Sequence, residues 1–432
     1  MNVSDSSWLE RSLKSAGFEK TFIEEDADFF IINTCSVREK PEQKVYSQLG
    51  RLKDYHKKNS SVFACVGGCV AQQVGQGFFE RFPFVRLVFG PDGLAMVPHA
   101  LQRLENDKFL KISLLDFEDH YPERKEDWPD KMPPQSFVNI MQGCDNFCAY
   151  CVVPYTRGRQ KSRSSKDIIR ECRELVALGV KEITLLGQNV NSFGLDKNGL
   201  EITFARLLRE INDLSGLKRL RFTTSHPKDM SADLIKAFGE LETLCPQLHL
   251  PLQSGSNKIL ESMGRKYTRE RYLELVAGLR QARPDIALST DLIVGFPSET
   301  DDDFQETLDM INNVGFDSSF SFKYSDRPGV RSALMTPKIA AEVKSSRLDI
   351  LQKLQDEWTK TKLAQKIGTR DQILIEGPSK RQKPGVCSWQ GRDSGGRVVN
   401  IDLKTREDFT GRIFEVEFVR SKRHSLEGVV VT

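Results

Sequence analysis

The sequence has 432 residues, 28% of them charged, and a net charge of +3, which fits a soluble globular chain of two or three domains with a well-buried core. It contains no run of about 18 or more apolar residues that could span a bilayer, and the opening Met1-Asn2-Val3-Ser4-Asp5-Ser6 lacks the basic-then-apolar order of a secretory signal. Neither a membrane nor a secreted protein is expected, a reducing cytoplasm is, and disulfides are a poor account of the 9 cysteines.

From Ser6 to about Arg103 short apolar runs alternate with amphipathic stretches, and Asp28 to Asn33, Ser61 to Val66 and Val85 to Phe89 read as buried strands. This alternation predicts a doubly wound α/β domain over 1–117. A polar stretch carrying Pro122, Pro129, Pro133 and Pro134 reads as a linker over 118–134. Strand-then-helix patterning then repeats over 135–366, with strands near Phe137–Met141, Glu182–Leu186, Leu217–Thr223, Gln247–Leu252, Ile286–Val294 and Phe316–Tyr324. A partial (βα)6 barrel follows, whose chemistry belongs at the C-terminal strand ends. A helical pattern from Ala340 to Ile367 carries the chain away to a segment, 367–432, with β-branched alternation at Gln372–Glu376, Arg397–Leu403, Arg412–Val419 and Gly428–Val431, the pattern of a small all-β barrel. Basic residues recur there from Lys380 and Arg381 through Lys383 and Arg406 to Lys422 and Arg423, a surplus that suits either nucleic acid or a solvated strand surface.

Cys144, Cys148 and Cys151 fall in one short loop after the first barrel strand. Three thiolates so close in sequence can hold three corners of an iron-sulfur cube and leave the fourth iron open. A structural zinc site is the competing reading, but it normally needs a fourth Cys or His at finger spacing, and neither Cys172, His226 nor His249 stands nearby. Cys35 and Cys69 each follow a predicted strand, so both face the crevice at the carboxyl ends of a parallel sheet. They read either as ligands of one group or as small buried hydrophobes.

Cys144-Asp145-Asn146-Phe147-Cys148-Ala149-Tyr150-Cys151 resembles the signature of radical S-adenosylmethionine (AdoMet) enzymes. The strings Asn33-Thr34-Cys35-Ser36-Val37-Arg38-Glu39 and Gly68-Cys69-Val70-Ala71-Gln72 resemble the N-terminal domain of the radical-AdoMet methylthiotransferases. That resemblance implies two 4Fe-4S clusters. One, on Cys144, Cys148 and Cys151, would chelate AdoMet at its open iron and cleave it reductively to a deoxyadenosyl radical, with Tyr150 as a shield. The other, auxiliary, cluster would carry or supply sulfur from Cys35, Cys69 and a third cysteine. In the family that third cysteine lies in a Gly-Cys-Gln-Met-Asn string, of which this chain opens at Met1-Asn2, so it is expected upstream of Met1 together with a first sheet strand; Cys65 is expected to pack inward instead.

Motifs at later strand ends are expected, by the same resemblance, to line the AdoMet pocket through Gly187, Gln188, Asn189, Gln253, Ser254, Asp291 and Gly295. Val152-Val153-Pro154-Tyr155-Thr156-Arg157-Gly158-Arg159 and His249-Leu250-Pro251-Leu252-Gln253-Ser254 resemble the branch that adds a methylthio group to carbon 2 of an isopentenylated adenosine at tRNA position 37. The C-terminal barrel is similar to a TRAM domain, an RNA-binding module. Arg157 and Arg159, with Lys161 and Arg163, are then expected to touch RNA phosphate, although a solvated basic loop has the same composition. The implied partners are a tRNA anticodon loop, a reductant such as flavodoxin or ferredoxin, and a sulfur donor of unidentified class, with the enzyme a monomer. A sister methylthiotransferase, acting on threonylcarbamoyl adenosine or a ribosomal-protein aspartate, would share the cluster ligands. A non-catalytic RNA-binding iron-sulfur protein is the alternative of another class.

Overall fold

Residues 63–68 form a strand buried on both faces, and its side chains divide by parity. Phe63 and Cys65 enter one apolar layer, while Ala64 and Val66 enter the other, as the two-residue period of a strand requires. In the computed structural model, which describes residues 1–35, 39–122, 128–129, 132–382, 385–404 and 407–431, this strand lies inside a four-stranded parallel sheet. The strands are β1 (Phe29–Thr34), β2 (Phe63–Gly68), β3 (Val85–Phe89) and β4 (Ile112–Leu114), in that order. Helices α1 (Asn2–Ser15) and α5 (Val97–Asn106) supply one layer; α2 (Glu39–Lys58), α3 (Cys69–Val74) and α4 (Gly77–Arg81) supply the other. The doubly wound arrangement is therefore present, and β4 is a strand that the apolar pattern did not reveal.

A Cβ at Gly67 would stand 2.1 Å from Cζ of Phe89, which is fully buried. Phe89 has no room to yield, so Gly67→Ala is expected to cost about 1–3 kcal/mol, the range for overpacked cores, measured as a lowered urea midpoint with unchanged slope.

The chain then forms β5 (Gln135–Asn139), a two-residue ribbon of β6 (Met141–Gln142) and β7 (Lys161–Ser162), and, between the ribbon's strands, α6 (Val153–Arg157). Two compact units result. Residues 141–163 and 327–330 group with residues 1–129, and the remainder forms the second unit.

In the second unit β5, β8 (Glu182–Leu186) and β9 (Arg219–Phe222) pair in parallel, as do β10 (Gln247–His249), β11 (Ala287–Val294) and β12 (Ser318–Lys323). A parallel bridge from Leu220 to Leu244 joins the two triplets. Helices α7 (Ser165–Ala177), α8 (Phe204–Asn212), α9 (Ala232–Glu240), α10 (Asn257–Ser262), α11 (Arg269–Ala282) and α12 (Asp301–Val314) alternate with these strands, giving the partial (βα)6 barrel. The long helix α13 (Ala341–Ala364) does not lead away, as expected, but packs back on the barrel. Its buried Arg347 reaches Glu299 at 2.6 Å and Asp301 at 2.6 Å, and Gln355 donates to Phe316 O at 2.9 Å. Buried polar groups of this kind need fixed partners, and α13 finds them on the barrel.

Residues beyond α13 close a barrel in the order β13-β14-β15-β17-β16, from β13 (Arg370–Pro378), β14 (Cys387–Arg392), β15 (Val398–Leu403), β16 (Ile413–Ser421) and β17 (Leu426–Val430). Ile373, Ile375, Trp389, Ile401, Val416 and Phe418 fill it. Lys383 and Arg406 of the basic run, and residues 123–127, 130 and 131 of the expected linker, lie outside the described residues. Among the described residues no helix is long and apolar enough to cross a membrane.

Candidate metal and cofactor site

In the first unit β1 and β2 run in register, Thr34 opposite Gly68, so Cys35 and Cys69 leave the sheet side by side. Gly68, at φ +86°, permits this approach, because a Cβ there would lie 2.4 Å from Thr34 O and 2.6 Å from Asn33 Oδ1. The Cys35 thiol hydrogen-bonds the Cys69 sulfur and pulls the pKa of Cys69 down to about 5 against the opposing effect of burial, helped by the Arg157 charge and by hydrogen bonds from Arg157 and Thr156. Burial pulls the Arg157 pKa down, but the Cys69 and Asp5 charges outweigh it and hold the guanidinium ionised, with Nη2 3.3 Å from Asp5 Oδ2. Cys69 is thus preset as a thiolate, the form that binds metal. Cys65, by contrast, lies wholly within the apolar layer, and burial pushes its pKa up.

The three-cysteine loop belongs to the same unit and is closed by the β6–β7 ribbon. Lys161 Nζ stands 2.6 Å from Asp92 Oδ2, Gln142 also donates to Asp92, and Glu118 N donates to it at 2.9 Å. Inside the loop Cys144 N donates to Gly158 O at 3.3 Å and Cys151 N to Cys148 O at 3.0 Å. Gly143, at φ +78°, lets the crossing chain pass, since a Cβ would meet Arg159 O at 2.0 Å. Burial first, then the charge of neighbouring Cys148, raises the Cys144 pKa. Negative sulfur is disfavoured there without a cation, so the donor set suits an iron-sulfur cluster, and Cys144, Cys148 and Cys151 are the residues that would hold it. Among the described residues no three His, Cys, Asp or Glu side chains stand at metal-holding distances; the trio shares a loop, and Cys35 pairs with Cys69.

Lys161→Met would strand Asp92, whose side chain is 2% exposed, as an unpaired buried charge. A loss of about 3–5 kcal/mol is expected, read from chemical denaturation of the apoprotein.

Arg157 and Lys161 need correction as RNA contacts. Both are buried, in ion pairs with Asp5 and Asp92, and neither can meet a phosphate. Arg159 remains open, its side chain 71% exposed beside Asp145 and over the Phe147 ring at 5.2 Å. Arg163 lies over Tyr121, and Tyr150 is half-buried within the loop.

In the second unit Gly187, Gln188 and Asn189 follow β8 at its C-terminal end. Asn189 is buried, its Nδ2 2.7 Å from Asp229 Oδ2, while its Oδ1 lacks a partner among the described residues. Gln253 adopts φ +72° and is pinned to β11 through main-chain bonds to Asp291 O and from Ile293 N. Asp291 Oδ2 is 3.4 Å from His249 Nε2 and partly open. Ser254 and Gly295 serve the frame. The Ser254 hydroxyl pairs with Thr307 and accepts from Ser256 N, and Gly295 N donates to Glu299 while its missing side chain admits Lys344. Sequence reasoning passed over His226, which follows β9. It is 5% exposed, held neutral by burial and by Arg265 with its pKa pushed down to about 2, and its Nε2 has no partner among the described residues. A lone histidine after a strand gives no signal by itself.

A chain that carries a parallel (βα) barrel with polar strand ends and a loop of three cysteines has the parts of a radical-AdoMet protein, and residues 138–311 match the radical SAM superfamily. Residues 1–90 match an uncharacterized protein family, UPF0004. The tRNA-2-methylthio-N(6)-dimethylallyladenosine synthase of Nitratidesulfovibrio vulgaris is 55% identical over 427 residues, covering 99% of this chain and 95% of that protein. Those of Oleidesulfovibrio alaskensis and Geobacter sulfurreducens are 51% and 45% identical, over 99% and 100% of this chain and 96% and 95% of theirs. The chain belongs to the tRNA-2-methylthio-N(6)-dimethylallyladenosine synthase family of radical-AdoMet enzymes. The radical S-adenosylmethionine methyltransferase TsrM of Kitasatospora setae, solved with cobalamin and a 4Fe-4S cluster bound, shares the fold with a TM-score of 0.56 at 16% identity, over 76% of this chain and 74% of that one.

Proposed function

We propose that this chain methylthiolates carbon 2 of N6-isopentenyl adenosine at tRNA position 37, in the cytoplasm and as a monomer. The observation that carries the reading is the gathering of two cysteine sets in one unit, Cys35 with Cys69 and the loop of Cys144, Cys148 and Cys151, with Arg157, just beyond that loop, turned onto Cys69. Two 4Fe-4S clusters supply, when bound, the electron that cleaves AdoMet and the sulfur to be transferred. Cys144, Cys148 and Cys151 hold the first, and Cys35 and Cys69 hold the auxiliary one.

Arg157 offsets negative charge on Cys69 and so keeps it in the thiolate form that would hold the auxiliary cluster, where transferable sulfur would take a methyl group from a first AdoMet and leave S-adenosylhomocysteine. Gly187, Gln188, Asn189, Gln253 and Asp291 bind the AdoMet that is cleaved, the free Asn189 Oδ1 accepting a hydrogen bond from it. His226, neutral at every physiological pH, offers a donor without adding charge. The closed C-terminal barrel and the exposed Arg159 hold the anticodon stem and loop. A one-electron donor of the flavodoxin or ferredoxin class completes the cycle.

Mass spectrometry of tRNA nucleosides from a deletion strain tests this. The methylthio-isopentenyl base should disappear and the unmodified isopentenyl base accumulate. Persistence of the methylthio base, with loss of a methylthiolated threonylcarbamoyl adenosine or ribosomal aspartate, would assign the chain to a sister enzyme.

A further inference from the structure

At the opposite, N-terminal ends of the six parallel strands lies a set of buried charges that the proposed chemistry does not use. Glu182 opens β8 and Arg219 opens β9, followed by Arg221, with side chains 5%, 6% and 9% exposed. Arg221 Nε is 3.0 Å from Glu182 Oε2, and Arg219 Nη1 is 3.6 Å from it. The outer nitrogens of both guanidinium groups point at main-chain carbonyls of the C-terminal barrel. Arg219 donates to Arg392 O at 2.9 Å and to Gln372 O; Arg221 donates to Ser394 O and Asp393 O, each at 2.9 Å. Because the Arg219 fork meets carbonyls of β13 and β14 and the Arg221 fork meets two successive carbonyls of the β14–β15 turn, the bonds set orientation as well as distance.

Arg397 answers from the other side, with Nη2 2.5 Å from Asp317 Oδ1 and Nη1 3.1 Å from the fully buried Asp393 carboxylate. Between them the β14–β15 turn enters the barrel mouth through two glycines. A Cβ at Gly396 would lie 2.4 Å from Gln247 Oε1, and one at Gly395 3.5 Å from Ala287 Cβ. Gln247 and Ala287 are the first residues of β10 and β11, Asp317 immediately precedes β12, and Gln135, first in β5, donates to Glu376 of β13 at 3.2 Å. The C-terminal barrel therefore meets the starts of β5, β9, β10, β11 and β12, and Arg219 and Arg221 tie Glu182 of β8 into the same contact. Buried ion pairs add little net stability, so a merely tethered module would gain little from them; what they secure is a fixed attitude.

We infer that Arg219 and Arg221 are positioning residues that clamp the C-terminal barrel onto the N-terminal mouth of the (βα) barrel, so that RNA gripped by one is presented in fixed register to the other. The inference rests on the proposed reading of the C-terminal barrel as a tRNA-holding module. A docked module keeps its RNA at a set distance from the chemistry, whereas a swinging one loses that advantage in local concentration.

The test uses the full chain, anaerobically reconstituted, as parent, as R219Q/R221Q, and as G396V, which alters only the docking turn. Three quantities are read: protease cleavage between Ala364 and Arg370, AdoMet cleavage without tRNA, and KM for isopentenylated tRNA. Both variants should become cleavable there and keep AdoMet cleavage within about twofold of parent, while KM for tRNA rises on the order of tenfold. Should R219Q/R221Q lose AdoMet cleavage through misfolding, G396V decides. Variants that stay protease-resistant, or that undock with KM unchanged, overturn the inference. A parent that cleaves AdoMet yet neither binds nor modifies tRNA overturns the functional reading itself, and the inference with it.

Discussion

Cys148→Ala is expected to abolish AdoMet cleavage, with 5′-deoxyadenosine formation falling at least about 1,000-fold, or about 4 kcal/mol of activation free energy. Cys148 is buried in the loop closed by the β6–β7 ribbon, and its charge already presses on Cys144. Removing one of three corner ligands leaves too few thiolates to hold a cluster whose remaining site is reserved for AdoMet. The same outcome is expected at Cys144 and Cys151. Anaerobic iron analysis should show loss of one cluster's iron while far-ultraviolet circular dichroism stays unchanged, because none of the three cysteines belongs to the apolar layers of the N-terminal sheet. Retained cleavage in any of the three variants would remove the basis for a radical mechanism.

Cys69→Ala should separate the two halves of the reaction. AdoMet cleavage persists, because the three-cysteine loop is intact, but the methylthio product falls below detection. The cause is specific to this thiol. Cys69 is the one that Cys35, Arg157 and Thr156 together hold ionised, and an alanine leaves the buried Arg157 with only Asp5 and Cys35 to offset its charge. Cys65→Ala serves as the control. Cys65 faces the α1 and α5 layer, so its replacement should cost about 1 kcal/mol of stability and change neither activity. Equal loss of product in the Cys65 and Cys69 variants would contradict the assignment.

The contrast between these two cysteines marks how much the sequence revealed. Cys69 follows its strand, whereas Cys65 lies within a strand whose alternate side chains all enter one apolar layer or the other, so it packs inward whichever face it takes. The three-cysteine spacing and the strand–helix repetition were equally readable, because each is a local pattern. Burial of charge was not. Arg157 and Lys161 sit in a basic stretch indistinguishable in composition from a phosphate-binding loop, and only their partners Asp5 and Asp92, distant in sequence, turn them inward. Strand β14 was hidden because Ser388, Gln390 and Arg392 lack the β-branched alternation of its neighbours, and its place is set by ladders to β13 and β15. Helix α13 showed its length but not its destination, which Arg347 and Gln355 determine through contacts with Glu299 and Phe316. His226 carried no pattern at all.

The central claim is that this chain joins sulfur to carbon 2 of an isopentenylated adenine, and its most direct test is anaerobic turnover of the reconstituted enzyme with isopentenylated tRNA, AdoMet and reductant, followed by mass analysis of the digested nucleosides. The account predicts the 2-methylthio-isopentenyl nucleoside, formed together with 5′-deoxyadenosine and S-adenosylhomocysteine in equal amounts. Formation of 5′-deoxyadenosine while the isopentenyl nucleoside keeps its mass would contradict it.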